Sequence, residues 1–125
     1  MRWGFCYTIP MQLKKGFKIN LLSVVLPAYK QEKTILKDVK NILSSLDELG
    51  YKYELIVVVD GMIDDTYKIL KRIKNPNLKI IAYEKNQGKG HAVRTGMLKA
   101  KGDVIGFMDA GMDIHPTGFR MLLNH

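Results

Sequence analysis

Two carboxylates raise the question of chemistry. In GDVIGFMDAGMDIHP, residues 102–116, an apolar, β-prone run from Asp103 to Met108 stops at Asp109, and Asp113 follows four residues later. A carboxylate at the carboxyl end of a buried parallel strand stands where open α/β sheets bind their ligands. Magnesium and manganese prefer oxygen ligands, and magnesium commonly takes only one or two carboxylates plus substrate phosphates. The string therefore fits Asp109, with Asp113 as a second candidate, holding a divalent cation against the diphosphate of an activated substrate. A loop with two solvated turn aspartates fits the same string, so the surrounding strands must decide.

Three other short stretches could meet this one. Pro27-Ala28-Tyr29, Asp60-Gly61 and Asn86-Gln87-Gly88-Lys89-Gly90 each follow an apolar run. Asp60 can accept hydrogen bonds from a base edge or a ribose hydroxyl, or simply form an Asp-Gly turn. Tyr29 can stack on a base or shelve against the sheet. The glycine loop fails both standard phosphate patterns, because Val93 stands at the third glycine of a dinucleotide fingerprint and Gly90 follows Lys89 where a P-loop needs Ser or Thr. It can still offer backbone N–H groups and a positive dipole end to a phosphate, with Lys89 and Arg94 adding charge.

The elements that must position these stretches follow from periodicity. Residues Leu21 to Leu26 form a short apolar strand ended by Pro27; Ile35, Leu36, Val39, Ile42, Leu43, Leu46 and Leu49 recur at helical spacing, with Gly50 placed for a left-handed cap. A covered strand spans Tyr53 to Val59, and Asp64 or Asp65 caps a helix carrying Ile69, Leu70 and Ile73. A third strand runs from Leu78 to Tyr83, and a helix with Ala92, Val93, Gly96, Met97 and Ala100 on one face leads to the strand before Asp109. The alternation predicts an α/β fold with a mostly parallel sheet, flanking helices and right-handed crossovers. The carboxyl ends of such strands share one rim. Residues 1–20 read as an appendage outside the sheet, and 21–125 as one partial domain.

The net charge is +8, from 20 Lys+Arg against 12 Asp+Glu, which favours anionic partners such as a nucleotide, a lipid phosphate or a membrane surface. No basic cluster is interleaved with aromatics, so nucleic acid is not the expected partner. A single cysteine, Cys6, leaves no intrachain disulfide, and three dispersed histidines suggest no zinc site. No run of apolar residues is long enough to span a membrane, and no signal pattern opens the chain. A cytoplasmic location is expected, with contact at the inner membrane face left open.

Four strings in order, SVVLPAYKQEKTI, ELIVVVDGMIDDT, NQGKGHAVRTGM and GDVIGFMDAGMDIHP, resemble the amino-terminal half of family-2 glycosyltransferases, most closely the dolichyl- and polyprenyl-phosphate sugar synthases. The resemblance implies a GT-A fold, Rossmann-like in its nucleotide-binding half. It also implies transfer, with inversion, of a sugar from a UDP- or GDP-linked donor to a polyprenyl phosphate or a glycan. By position, Pro27, Ala28, Tyr29, Gln31, Val58 and Asp60 would contact the nucleoside, and Lys89 would lie near the donor. Asp109, Ala110 and Gly111 would occupy the Asp-x-Asp signature, with Mg2+ or Mn2+ on Asp109 and Asp113.

Three departures stand out. Gly111 replaces the second aspartate of the signature, Gln31 replaces a usual glutamate, and Val59 replaces the first of a paired Asp-Asp. The family's acceptor-side half and its catalytic base would lie beyond His125. The chain is therefore expected to be truncated or split, or to need a protein partner. A non-catalytic nucleotide-sugar-binding module and a nucleotidyltransferase are the competing functions.

Overall fold

The computed structural model describes residues 3–4 and 19–108 of the chain. Its strands and helices alternate as β2 (Leu22–Ala28), α1 (Ile35–Leu49), β3 (Tyr53–Asp60), α2 (Thr66–Lys71), β4 (Leu78–Tyr83), α3 (Lys89–Lys99) and β5 (Val104–Met108), preceded by β1 (Trp3–Gly4). The sheet order is β1-β5-β2-β3-β4, with β5, β2, β3 and β4 parallel. From β2 to β4 the chain steps in one direction across the sheet, then returns past β2 to lay down β5. Right-handed crossovers therefore put α1 and α2 on one face and α3 on the other.

Alternation along the strands divides the core accordingly. Val24, Leu26, Leu55, Val57 and Val59 pack with Ile35, Val39, Ile42, Leu46 and Leu70 of α1 and α2. Val25, Ile56, Val58 and Ile105 face α3 through Ala92. β3 is covered on both faces, which is why it reads as an unbroken apolar run from Leu55 to Val59.

Four features differ from expectation. β2 passes through Pro27 instead of stopping there. Leu22 N–H donates to Lys52 O on the β3 side. By alternation, the N–H that Pro27 lacks would point to the β5 side, beyond the Val25↔Phe107 pair that ends that ladder. α1 ends at Gly50 with φ 79° as expected, but Leu36 is 42% exposed and lies off the packed face. α2 ends at Lys71, before Ile73. Trp3 and Gly4 pair antiparallel with Met108 and Phe107, so the expectation that residues 1–20 stay outside the sheet fails for these two. The open N–H and C=O groups of an edge strand accept any extended segment that reaches them.

A polar clasp at the amino end of the sheet fixes the turn into β5. The Ser23 hydroxyl donates to Glu54 Oε2 at 2.6 Å, Lys101 N–H donates to the same oxygen at 2.7 Å, and Gly102 N–H donates to Ser23 Oγ at 2.8 Å. Asp103 Oδ2 accepts from Asn20 N–H at 2.7 Å and Leu21 N–H at 3.0 Å. Both Ser23 and Glu54 are buried, and each is satisfied by the other.

Gly96 sets how closely α3 lies on the sheet. A Cβ there would overlap Val25 Cγ1 and stand 3.1 Å from Val58 Cγ2, and β-branched side chains have few rotamers into which to retreat. Gly96→Ala gains about 1 kcal/mol of helix propensity, yet overpacking a rigid core costs ~1–3 kcal/mol. We expect a net loss of stability by urea denaturation; an Ala variant as stable as the parent would show that α3 is free to lift.

Candidate functional site

The parallel strands deliver their carboxyl-terminal loops to one rim. β2 leads to Pro27-Ala28-Tyr29, β3 ends at Asp60, and β4 leads to the loop that opens α3. Pro27, Ala28, Tyr29, Gln31, Asp60, Asn86, Gly88 and Lys89 together line one open cleft of about 260 Å³. The strand order reverses between β2 and β5, the topological switch point at which open α/β sheets form their crevice.

The loops are tied to one another by side chains. Asp60 is only 3% exposed, and both of its oxygens are engaged. Oδ1 accepts from the Tyr83 hydroxyl at 2.7 Å and from Gln87 N–H at 2.8 Å, while Oδ2 accepts from Gly88 N–H at 3.0 Å. Burial alone would raise Asp60, but the Gln87 N–H, the Tyr83 hydroxyl, the Gly88 N–H and nearby His91 together hold its carboxyl below the usual 3.8. Burial, followed by the bond to Asp60, pushes the Tyr83 phenol up.

A second clasp joins the first two loops. Thr66, fully buried, donates its hydroxyl to Asp64 Oδ1 at 2.6 Å and accepts Gln31 N–H at 3.0 Å. Asp64 Oδ1 also takes Thr66 N–H at 3.0 Å, so Asp64 and not Asp65 satisfies the start of α2. Burial raises Asp64, but the Thr66 hydroxyl and amide, the Glu32 N–H and Lys30 outweigh it, leaving this carboxyl lowered as well. Two backbone features complete the rim. Gly61 at φ 96° sits so close to Asn86 that a Cβ would be 3.1 Å from its nitrogen, and Gly88 at φ 99° precedes α3.

Gly88 caps α3 without a side-chain bond, and the first amides of a helix lack intrahelical acceptors, so they are suited to an anion. On the opposite wall, Gln31 Oε1 is buried with no hydrogen-bond partner among the described residues. An unpaired buried acceptor costs ~1–3 kcal/mol, a cost that a ligand N–H or O–H would relieve.

Most residues expected from the sequence meet here: Pro27, Ala28, Tyr29, Gln31, Asp60 and Lys89 line the cleft. Val58 does not. It is fully buried beneath α3, because alternation turns its side chain into the sheet–helix core. Asp109, Ala110, Gly111 and Asp113 lie outside the described residues, although β5, ending at Met108, runs parallel to β2. Sequence reasoning missed Tyr83, Thr66 and Gln87. Tyr83 is the last residue of its strand, and only the β3–β4 register sets it beside Asp60.

The described residues do not by themselves fit a metal. Among them no group of three or more His, Cys, Asp or Glu could hold an ion, and the oxygens of Asp60 are already spent on N–H and O–H donors. The carboxylates that remain to be considered are Asp109 and Asp113.

Residues 23–125 match the family described as Glycosyl transferase family 2. An undecaprenyl-phosphate 4-deoxy-4-formamido-L-arabinose transferase of Proteus mirabilis is 32% identical over 102 residues, covering 79% of this chain and 31% of that protein. A human dolichyl-phosphate beta-glucosyltransferase is 35% identical over 98 residues, covering 71% and 30%. The mannosyltransferase PcManGT of Pyrobaculum calidifontis, solved with GDP-Man and Mn2+, superposes with a TM-score of 0.63 at 25% identity over 75% of this chain and 28% of that one. The chain thus spans about 30% of the length of the curated relatives it matches.

The two lowered carboxylates make stability pH-dependent in a defined direction. Each contributes fully above its unfolded value of ~4 and loses that contribution as pH falls through its lower native value. Urea midpoints should hold steady down to about pH 5 and drop below about pH 4. Asp64→Asn should flatten part of that acid limb, whereas an identical limb in the variant would remove Asp64 as a source of it.

Proposed function

The chain belongs to glycosyltransferase family 2 and has the fold of GT-A enzymes, and from that premise we propose that it binds the donor in an inverting sugar transfer from a nucleotide-diphosphate sugar. The observation that carries this reading is the cleft into which the β2, β3 and β4 loops converge, with an amide oxygen that has no partner among the described residues on one wall and a helix amino terminus on the other. Its volume, about 260 Å³, is at or below the low end of small-ligand sites (~300–1,000 Å³). That suits a nucleoside and part of its diphosphate. The sugar and acceptor must be held by further residues.

Within this proposal, Tyr29 provides a face for the base, and Gln31 Oε1 accepts from a base N–H or a ribose hydroxyl. The first turn of α3, with Lys89, receives phosphate; Arg94 lies farther along the helix and does not line the cleft. Asp109, one residue past β5, is the carboxylate best placed for a divalent cation, with Asp113 second. The cation, when bound, would neutralise the diphosphate and stabilise it as a leaving group. Support comes from the Mn2+ in the complex of PcManGT. A polyprenyl phosphate is the acceptor class suggested by the names of the two relatives. Such an acceptor is already anionic, which lessens the need for a general base. It would place the protein at the inner face of a membrane, consistent with the net charge of +8; among the described residues no helix is long and apolar enough to cross one.

Isothermal calorimetry with UDP, GDP and their sugars, with and without Mn2+, tests the reading. We expect binding that strengthens with the metal, and Asp109→Ala should leave only the metal-independent part. Absence of binding under every condition removes the donor role. Binding without transfer or donor hydrolysis would make the chain a binding module, and a requirement for a nucleoside triphosphate would make it a nucleotidyltransferase.

A further inference from the structure

The residue expected to read the nucleoside directly, Asp60, is already fully engaged, and its partners are informative. Parallel pairing of β3 with β4 sets Asp60 beside Tyr83, the last residue of its strand. The phenol lies 2.7 Å from Asp60 Oδ1, and its ring meets the His91 imidazole edge to face, with centroids 5.4 Å apart and planes at 83°. The other two bonds to Asp60 come from Gln87 N–H and Gly88 N–H, the residues that bring the chain into α3. Asn86 Oδ1 reinforces them by accepting Gly88 N–H at 2.9 Å.

We propose that Tyr83 is a positioning residue for the donor's phosphates: it orients the Asp60 carboxylate, which holds the Gln87–Gly88 backbone so that the first turn of α3 faces the cleft. The inference rests on the donor-binding reading above and adds to it a residue that itself touches no ligand. The mechanism is geometric. Gly88 has ψ 160° with its positive φ, a conformation open essentially to glycine alone, and because glycine has many other conformations available, its hydrogen bonds select this one. A carboxylate with two N–H donors and one O–H donor holds it well, since charge-assisted bonds are roughly twice as strong as neutral ones. Without the hydroxyl, Oδ1 keeps only Gln87 N–H and Oδ2 only Gly88 N–H, so the carboxylate and the loop are no longer tied to β4. The α3 amides and Lys89 then lose their common aim. Asp60 on this account serves the phosphates and leaves recognition of the base to other residues.

The test compares the full chain with Tyr83→Phe, which keeps the ring against His91 and deletes only the hydroxyl. Affinities for UDP, GDP and inorganic pyrophosphate are measured by calorimetry, and the Gln87 and Gly88 amide resonances by 15N-resolved NMR of the free protein. We expect all three ligands to weaken by a similar factor, about tenfold, as for loss of one bond to a charged group. The Gln87 amide proton should also move away from its charge-bonded position. Weakening of UDP and GDP with pyrophosphate unchanged would assign the pair to base recognition and overturn the proposal. So would unchanged affinities for all three. If the parent chain itself binds none of them, it is the donor-binding reading that falls, and this inference with it; the two failures are told apart by the parent's own titration.

Discussion

One carboxylate holds the rim together. Asp60 ends a strand on which every residue is buried, and among the described residues it is the one carboxylate that lines the cleft. Placing a charge there would be costly if it stood alone, because desolvation disfavours the ionised form. It is stable only because the β4–α3 loop closes over it with two N–H groups and β4 supplies a hydroxyl. The dependence is mutual, since the loop reaches an open, glycine-only conformation by wrapping the same carboxylate. The charge is therefore held by the loop, and the loop by the charge.

The Asp64–Thr66 clasp repeats this logic one strand over. There the β3–α2 loop supplies the acceptors and the β2–α1 loop the donors, Gln31 N–H and Glu32 N–H. The three loops are thus linked in series, and Gln31 is fixed at one end of the series while Gly88 is fixed at the other. Among the described residues Gln31 Oε1 is buried without a partner, and its anchored backbone keeps that amide at the wall of the cleft. Pre-set geometry of this kind lowers the ordering cost of binding.

Much of the fold was legible in the sequence, and for a physical reason. Strands covered on both faces must be apolar throughout, and a helix packed on one side must repeat its apolar residues every three to four positions. β3 and α1 follow those rules closely, whereas β4, at the sheet edge with Lys79 exposed, is only half-buried, and the carboxyl-end location of the site follows from parallel topology. What periodicity does not carry is the direction of a hydrogen bond or the face on which a given strand residue falls. Val58 and Asp60 are two apart and share a side of the strand, yet one lies beneath α3 and the other lies past the helix's end, beneath the loop. Family position alone could not separate them. The Ser23–Glu54 clasp and the Tyr83 hydroxyl were invisible for the same reason: each needs strand register, which is a property of two segments and not of one. Trp3 and Gly4 were misplaced because pairing at an edge strand depends on reach, not on apolar pattern.

The electrostatics of the rim pull in two directions. Of the positions where the resemblance would put an acid, Gln31 lines the cleft while Val59 is buried in the core, so under the proposed donor role an anionic ligand would meet one fewer negative neighbour at Gln31. Coulomb repulsion between a phosphate and a nearby carboxylate is ~4 kcal/mol at 4 Å in a medium of effective dielectric 20, so each loss of an acid matters to an anionic ligand. A metal bound by one or two carboxylates relies on the phosphates for much of its remaining shell. On that proposal, a cation's hold on the protein would weaken with fewer acids while the protein's own hold on phosphate would strengthen. The helix amino terminus and Lys89 would then carry a larger share of the neutralisation. The geometry of the loop that presents them becomes correspondingly more important, which returns the weight of the site to the buried carboxylate beneath it.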